Sequence, residues 1–280
     1  MKSFEVIKAT GDREQFDLYK LKRSLQNAGA EPHTIQSVVD HLQKRGFFRD
    51  GITTRKIYQE AYRLIKKKSQ KVAGRYKLKE SLLELGPSGY PFEILIAEIF
   101  KELGYRTEVG QKIQGKCVSH EVDVIIQNEQ ELMMVECKFH NRQKHHSNIT
   151  VPLYVQARFQ DVAESWKLDP KLKAKQSIGY LVTNTRFSQE AIEYATCMNL
   201  KLLSWNYPEA QGLKVLVERT QIHPITCLAS LTKKEKQLLL NNKIIHCRQL
   251  LTNREILKEL RFNHVKISNI LSEAEDLISD

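Results

Sequence analysis

A short apolar-rich stretch, FEVIKAT (4–10), predicts a strand at the start of the chain. Apolar residues then recur at helical spacing in LYKLKRSLQNAG (18–29), TIQSVVDHLQKR (34–45) and TRKIYQEAYRLIKKK (54–68). LGPSGYP (85–91) carries two glycines and two prolines and marks a boundary. Beyond it the pattern changes. A helix is predicted in FEILIAEIFKELG, strands at about 105–109, 120–127 and 132–139, and a helix from about Val151 to Trp166. A buried strand in SIGYLVTNT, a helix in SQEAIEYATCMN and a strand in LKLLSW follow. Helices interleaved with strands define an α/β core. From about residue 222 the strand pattern stops, and TKKEKQLLLNN, IIHCRQLL, NREILKELR and VKISNILSEAEDLI read as short amphipathic helices. Three parts are expected: 1–86, mainly helical; 87–215, α/β; and 216–280, all helical.

A length of 280 residues accommodates two or three domains. No apolar run is long enough to span a bilayer, and MKSFEVIKATGDREQF has no apolar signal core, so a cytoplasmic protein with no membrane partner is expected. The five cysteines, at 117, 137, 197, 227 and 247, are scattered and never spaced C-x-x-C. That disfavours both a disulfide framework and a zinc ribbon. Charge changes the picture more. The net charge is +11, and residues 1–90 hold 19 Lys and Arg against 10 Asp and Glu. Residues 63–79 alone carry eight basic residues and no acid. Anionic partners follow, either nucleic acid or nucleotide phosphates, against the plain alternative of a solvated basic helix face.

Candidate chemistry concentrates on HEVDVIIQ (120–127) and LMMVECKF (132–139), joined by NEQE. In a simple hairpin Gln127 pairs with Leu132, which sets Asp123 across from Glu136 and Glu121 across from Lys138. Alternation puts these four on one face and Val122, Val124, Ile126, Val135, Cys137 and Phe139 on the other. Directly opposed like charges destabilise a ladder. A divalent cation shared by Asp123 and Glu136 removes the conflict, as would a shifted register or a protonated acid. Mg²⁺ acidifies a coordinated water, and the Lys138 ammonium favours its hydroxide form; the chemistry is metal-assisted phosphodiester hydrolysis.

On the helix after the boundary, Glu93 shares its face with Ala97 and Phe100, whereas Glu98 neighbours Lys101 and Glu102. An acid on such an apolar face, as Glu93 is, reads either as functional or as a snorkelling boundary residue. Gln156 borders the stripe Val151, Val155 and Phe159, and reads equally as a surface amide or a site residue. His140, His145 and His146, in FHNRQKHH, read as a basic loop near substrate rather than zinc ligands.

HEVDVII and VECK together resemble the D…(D/E)-x-K signature of restriction-endonuclease-like nucleases, and their surroundings resemble the Mrr-type branch. GYPFEILIAEIFKELGY is similar to that family's opening helix, YVQARF to its glutamine-bearing helix, and IGYLVTNTRFSQEAIEYA to its later strand–helix unit. The resemblance covers about 89–208. It implies a central mixed sheet flanked by helices and a site of Glu93, Asp123, Glu136, Lys138 and Gln156. Asp123, Glu136 and Glu93 would hold Mg²⁺ or Mn²⁺, and double-stranded DNA would be the substrate.

VIKATGDREQFDLYKLKRSL also resembles something specific, the opening of an ATP-cone domain, through Val6, Lys8, Gly11, Glu14, Phe16, Asp17, Lys20 and Leu21. GITTRKI supplies Thr54, and VAGRYKLK the closing region; where that family has a second basic residue, this chain has Ala9. The resemblance spans about 3–85 and implies a regulatory site for an adenine nucleotide, ATP or dATP. Lys8 and Lys20 would meet phosphate, with Val6, Glu14, Asp17 and Thr54 around them. A basic, DNA-binding helical domain would use the same lysines. No G-x-x-x-x-G-K-[ST] occurs, so a Walker-type ATPase is not indicated. The last helices look similar to paired helix-hairpin-helix units, with Asn241 and Asn242, then Phe262, Asn263 and His264, at the turns. A protein-interaction or dimerising bundle fits the same helices.

The expectation is a metal-dependent restriction or defence endonuclease under adenine-nucleotide control, with a second copy of the chain as a candidate partner. Its rival is a nucleotide-responsive DNA-binding regulator whose nuclease-like core is non-catalytic.

Overall fold

The computed structural model describes residues 3–8, 11–142 and 145–279. Their contacts group them into two compact units, one built from 1–81, 225–236 and 247–280, the other from 82–224 and 237–246. Among the described residues no helix is long and apolar enough to cross a membrane.

The chain opens with β1 (Glu5–Ile7), β2 (Arg13–Gln15), α1 (Leu18–Asn27), α2 (Pro32–Lys44), β3 (Ile52–Thr53), α3 (Thr54–Lys66) and α4 (Gln70–Leu83). β1 lies between β2, antiparallel to it, and β3, parallel to it. The helices form where apolar spacing places them. Leu21 and Leu25, Ile35, Val38 and Leu42, and Ile57, Ala61 and Ile65 pack into one core with Phe4 and Val6. Asp17 starts α1 by accepting from the backbone N–H of Tyr19 at 2.8 Å, and Thr53 starts α3 by accepting from that of Lys56 at 3.3 Å.

The second unit carries a five-stranded sheet in the order β4 (Arg106–Gln114), β5 (Ser119–Gln127), β6 (Glu131–Lys138), β7 (Gln176–Thr183) and β8 (Lys201–Leu203). β4, β5 and β6 form an antiparallel meander. β7 and β8 run parallel to β6, because α6 (Thr150–Leu168) and α7 (Gln189–Cys197) carry the chain back between strands. This is the mixed sheet flanked by helices expected for the central part. α5 (Tyr90–Glu102) precedes the sheet and has Pro91 in its first turn. Its Phe92, Leu95, Ile96 and Ile99 are fully buried at the spacing of one helix face. Ile125, Leu132 and Met134 pack with Val162 and Trp166 of α6. Val122 joins the same cluster, and Asp123 and Glu136 line a cleft together with Tyr154 and Arg158 of α6. Gly179 on β7 lets α6 come close: a Cβ there would meet the Phe159 ring at 2.8 Å.

The chain continues through α8 (Leu213–Thr220), α9 (Lys233–Asn241), α10 (Cys247–Thr252), α11 (Ile256–Glu259) and α12 (His264–Ile278). The C-terminal turns differ from expectation. Their left-handed residues are Lys243 and Arg261, each at φ 60°, not the asparagines. Asn241 ends α9, the Asn242 side chain donates back to the Leu238 carbonyl at 2.9 Å, and Asn263 caps α12 by accepting from the Lys266 N–H at 2.8 Å. β4 is also longer than the stretch predicted, since it pairs with the whole of β5 from Arg106↔Gln127 to Gln114↔Ser119.

Candidate active site

β5 and β6 pair in the expected register from Gln127↔Leu132 to Val124↔Val135. The next residues outward are Asp123 and Glu136. Asp123 does not simply face Glu136 across the ladder; its Oδ2 accepts the backbone N–H of Cys137 at 2.7 Å. That bond fixes Asp123 against the residue lying between Glu136 and Lys138. Lys138, the last residue of β6, is exposed, and its carbonyl accepts from the Thr183 hydroxyl at 2.7 Å.

Glu93 reaches this strand end from α5. A Cβ on Gly89 would lie 3.2 Å from Glu93 Oε1 and 3.7 Å from Phe139 Cβ, so the carboxylate folds back over the start of its helix beside the residue that follows Lys138. The Phe92 and Phe139 rings meet at a tilt of 42° with centroids 5.9 Å apart and hold α5 in that place. Glu98, the competing acid, points elsewhere: it is 3.6 Å from Lys101 and 3.8 Å from His246.

The electrostatics are those of crowded acids. Burial, and then the Asp123, Glu136 and Glu121 charges, push the Glu93 carboxyl up to about 7. Burial and Asp123 likewise push Glu136 up to about 7, although Arg158 and Lys138 oppose the shift. Asp123 is raised by burial, against the Cys137 N–H bond and the Arg158 charge. Among the described residues no group of three or more His, Cys, Asp and Glu side chains is arranged as a ready-made metal cage. Glu136 is turned to Arg158 instead, Nη1 to Oε2 at 2.5 Å, and Arg158 Nη2 donates to the Glu121 carbonyl. The guanidinium lies 5.4 Å from the centre of the Tyr154 ring. Ser119, His120, Glu121, Asp123, Glu136, Tyr154 and Arg158 line an open cleft of about 400 Å³.

Arg158 was not legible as a site residue, although a signal existed. Tyr154, Arg158 and Asp161 form a polar stripe at helical spacing beside the apolar Val155, Val162 and Trp166. Asp161 anchors that stripe. Its carboxylate accepts from Cys117 N at 2.7 Å and Val118 N at 3.2 Å and meets His120 Nε2 at 2.7 Å. These partners, His120 foremost, hold it well below the usual carboxylate range. The β4–β5 turn is thereby tied to α6, and the tie positions Arg158 over the acids.

Gln156 is neither a surface amide nor a lining residue of the cleft: it is buried on α6, and its Oε1 has no hydrogen-bond partner. In the histidine loop the His140 ring stacks on His145 at 5.7 Å, and burial, then the Lys138 charge, lowers the His140 pKa. In the first unit, Val6 is in the core, Lys8 is ion-paired to Glu14, Asp17 caps α1, Lys20 is exposed, and the Thr54 hydroxyl reaches the Ile7 carbonyl at 3.5 Å. The Ala9 position lies outside the described residues.

Residues 86–206 match the restriction endonuclease family model, so the second unit holds a restriction-endonuclease-like domain. Residues 223–278 match the model described as AF1548-like, C-terminal. An uncharacterised protein of Archaeoglobus fulgidus is 33% identical over 184 residues, 65% of this chain and 99% of that one. The crystal structure of AF1548, a protein of unknown function, superimposes with a TM-score of 0.56 at 32% identity, covering 68% of this chain and 98% of its own. The chain belongs to this AF1548-like family. A weaker likeness, TM-score 0.34 and 14% identity over 61% of this chain and 36% of the other, is to the MspJI restriction endonuclease solved with a 27-mer oligonucleotide.

Proposed function

We propose that the chain is a Mg²⁺- or Mn²⁺-dependent DNA endonuclease of restriction or defence type, with ATP or dATP as a regulatory ligand. One observation carries the nuclease reading. Burial first, and then neighbouring acid charges, raise the Glu93, Asp123 and Glu136 carboxyls at the end of the strand that carries Lys138, inside the segment matching restriction endonucleases. Such crowding of like charge opposes folding unless something positive is brought to it.

The donor set fits a hard divalent cation. All three groups are carboxylates, and Mg²⁺ is held by one or two of these, with water and substrate oxygens filling the other positions. Asp123 and Glu136 would hold it, with Glu93 supporting them. Bound there, the cation would acidify water and neutralise charge developing on the phosphate. The chain's own groups do the rest. The Cys137 N–H orients Asp123, and the Phe92–Phe139 contact orients Glu93. The Lys138 ammonium lowers the cost of forming hydroxide from a water beside it. Attack of that oxygen on phosphorus would break the bond to the sugar oxygen opposite, the proton lost by the water passing to solvent and the leaving oxygen taking one from solvent.

A chain of net charge +11 is suited to a polyanion, and duplex DNA is the proposed substrate. The nucleotide reading is supported by Lys8, Glu14, Asp17, Lys20 and Thr54 clustering around the β1–β2 hairpin and the starts of α1 and α3.

The test is plasmid cleavage by wild type, Asp123→Asn and Glu136→Gln in Mg²⁺, Mn²⁺ or chelator, with and without ATP or dATP. Cation-dependent cutting lost in both variants supports the reading. Retained DNA binding without cutting under any condition favours the regulator instead.

A further inference from the structure

We propose, on the basis of the nuclease reading, that Arg158 is the counter-ion of Glu136 in the metal-free protein and turns to the substrate phosphodiester when a divalent cation takes Glu136. The guanidinium side chain is only 12% exposed, so it is held rather than solvated. Three contacts hold it: Glu136 Oε2 at 2.5 Å, the Glu121 carbonyl, and the Tyr154 ring. Only the first is to a proposed metal ligand. A guanidinium and a divalent cation on one carboxylate oxygen repel each other strongly at short range and low exposure. Loading the site and keeping the Arg158–Glu136 pair are therefore competing states.

Release would not cost Arg158 its place. The Glu121 carbonyl and Tyr154 still tether it to the wall of the cleft. Nη1 and Nη2 each have one N–H committed of the five that a guanidinium carries. The planar fork matches two oxygens of a phosphate better than an ammonium does. The same side chain thus keeps the acids compact before loading and gives the phosphodiester a cation afterwards. A purely structural arginine would lack the second behaviour.

The experiment measures two affinities on the full chain: Mn²⁺ by calorimetry, and duplex DNA in Ca²⁺. Wild type, Arg158→Met, Arg158→Lys and, as the site control, Glu136→Gln are compared, each checked by circular dichroism. Arg158→Met is expected to bind Mn²⁺ about 5-fold or more tighter than wild type, because its competitor is gone. The same variant should bind DNA about 10-fold more weakly. Arg158→Lys, which keeps the charge and loses the fork, should move both affinities in the same directions by less, and it carries the test if Arg158→Met does not fold. Mn²⁺ binding unchanged or weakened in a folded Arg158 variant overturns the proposal, as does unchanged DNA affinity. If wild type binds no Mn²⁺ beyond the Glu136→Gln control, the nuclease reading falls with it. If wild type binds Mn²⁺ through Glu136 and the Arg158 variants bind no tighter, the competition alone is wrong.

Discussion

The backbone N–H of Cys137 donates to Asp123 Oδ2 at 2.7 Å, so the residue between Glu136 and Lys138 is also the one that holds Asp123. The bond uses the main chain and is independent of the cysteine side chain. It couples the two strands where their regular ladder stops and sets the acids of β5 and β6 in one frame. Cys137→Ala should accordingly keep Asp123 in place and retain at least half of wild-type cleavage. Loss of cleavage in a folded Cys137→Ala protein would show that the thiol itself takes part.

The raised Glu93 carboxyl makes stability depend on pH in an unusual direction. With its pKa pushed up to about 7, the folded metal-free chain keeps a proton that the unfolded chain has already lost at lower pH. Stability therefore falls as pH rises from about 4.5 through 7. Glu93→Gln removes this loss. It should melt about 2–4 °C above wild type at pH 8 in chelator and at the same temperature at pH 5. A lower melting point at pH 8 would mean that the carboxylate is required for folding.

Gly115 tests the tie between the β4–β5 turn and α6. A Cβ there would fall 2.2 Å from Asp161 Oδ2 and 2.8 Å from the Val118 carbonyl, and a carbonyl cannot swing away as a side-chain end can. Gly115→Ala should destabilise the chain by about 1–3 kcal/mol in urea unfolding. A neutral effect would mean that the turn rearranges freely and that Arg158 is positioned by other contacts.

The proposed nucleotide site predicts calorimetric binding of ATP or dATP to the wild type, weakened about 10-fold by Lys8→Ala or Lys20→Ala. Lys8 gives up an ion pair with Glu14 to reach phosphate, so its contribution should be the smaller of the two. No nucleotide binding by the wild type would remove the regulatory ligand from the account.

Much of the central fold was legible because its signals are local. Apolar periodicity located α5, α6 and α7, and the four residues between Gln127 and Leu132 fixed the register of β5 on β6. The D…E-x-K spacing puts Asp123, Glu136 and Lys138 on one face by strand alternation alone. The remainder depended on contacts far apart in sequence. Arg158 meets Glu136 from 22 residues away, and Asp161 meets His120 from 41, so neither pairing leaves a spacing to read. Gln156, read equally as a surface amide or a site residue, is buried on α6, and burial of an amide at the border of an apolar stripe has no local signal. Lys243 and Arg261 adopt left-handed backbone without being glycine or asparagine, a choice made by the helices on either side.

The most direct measurement is the rate of duplex DNA hydrolysis in Mg²⁺ or Mn²⁺ by wild type and Lys138→Ala, with DNA affinity and folding measured on both proteins. Lys138 sits exposed at the end of β6 and bonds through its carbonyl, so truncating the side chain leaves the strand intact. The account predicts a loss of about 10²–10⁴-fold in rate with DNA still bound. Cleavage by Lys138→Ala at the wild-type rate would contradict it and place the chemistry on other residues.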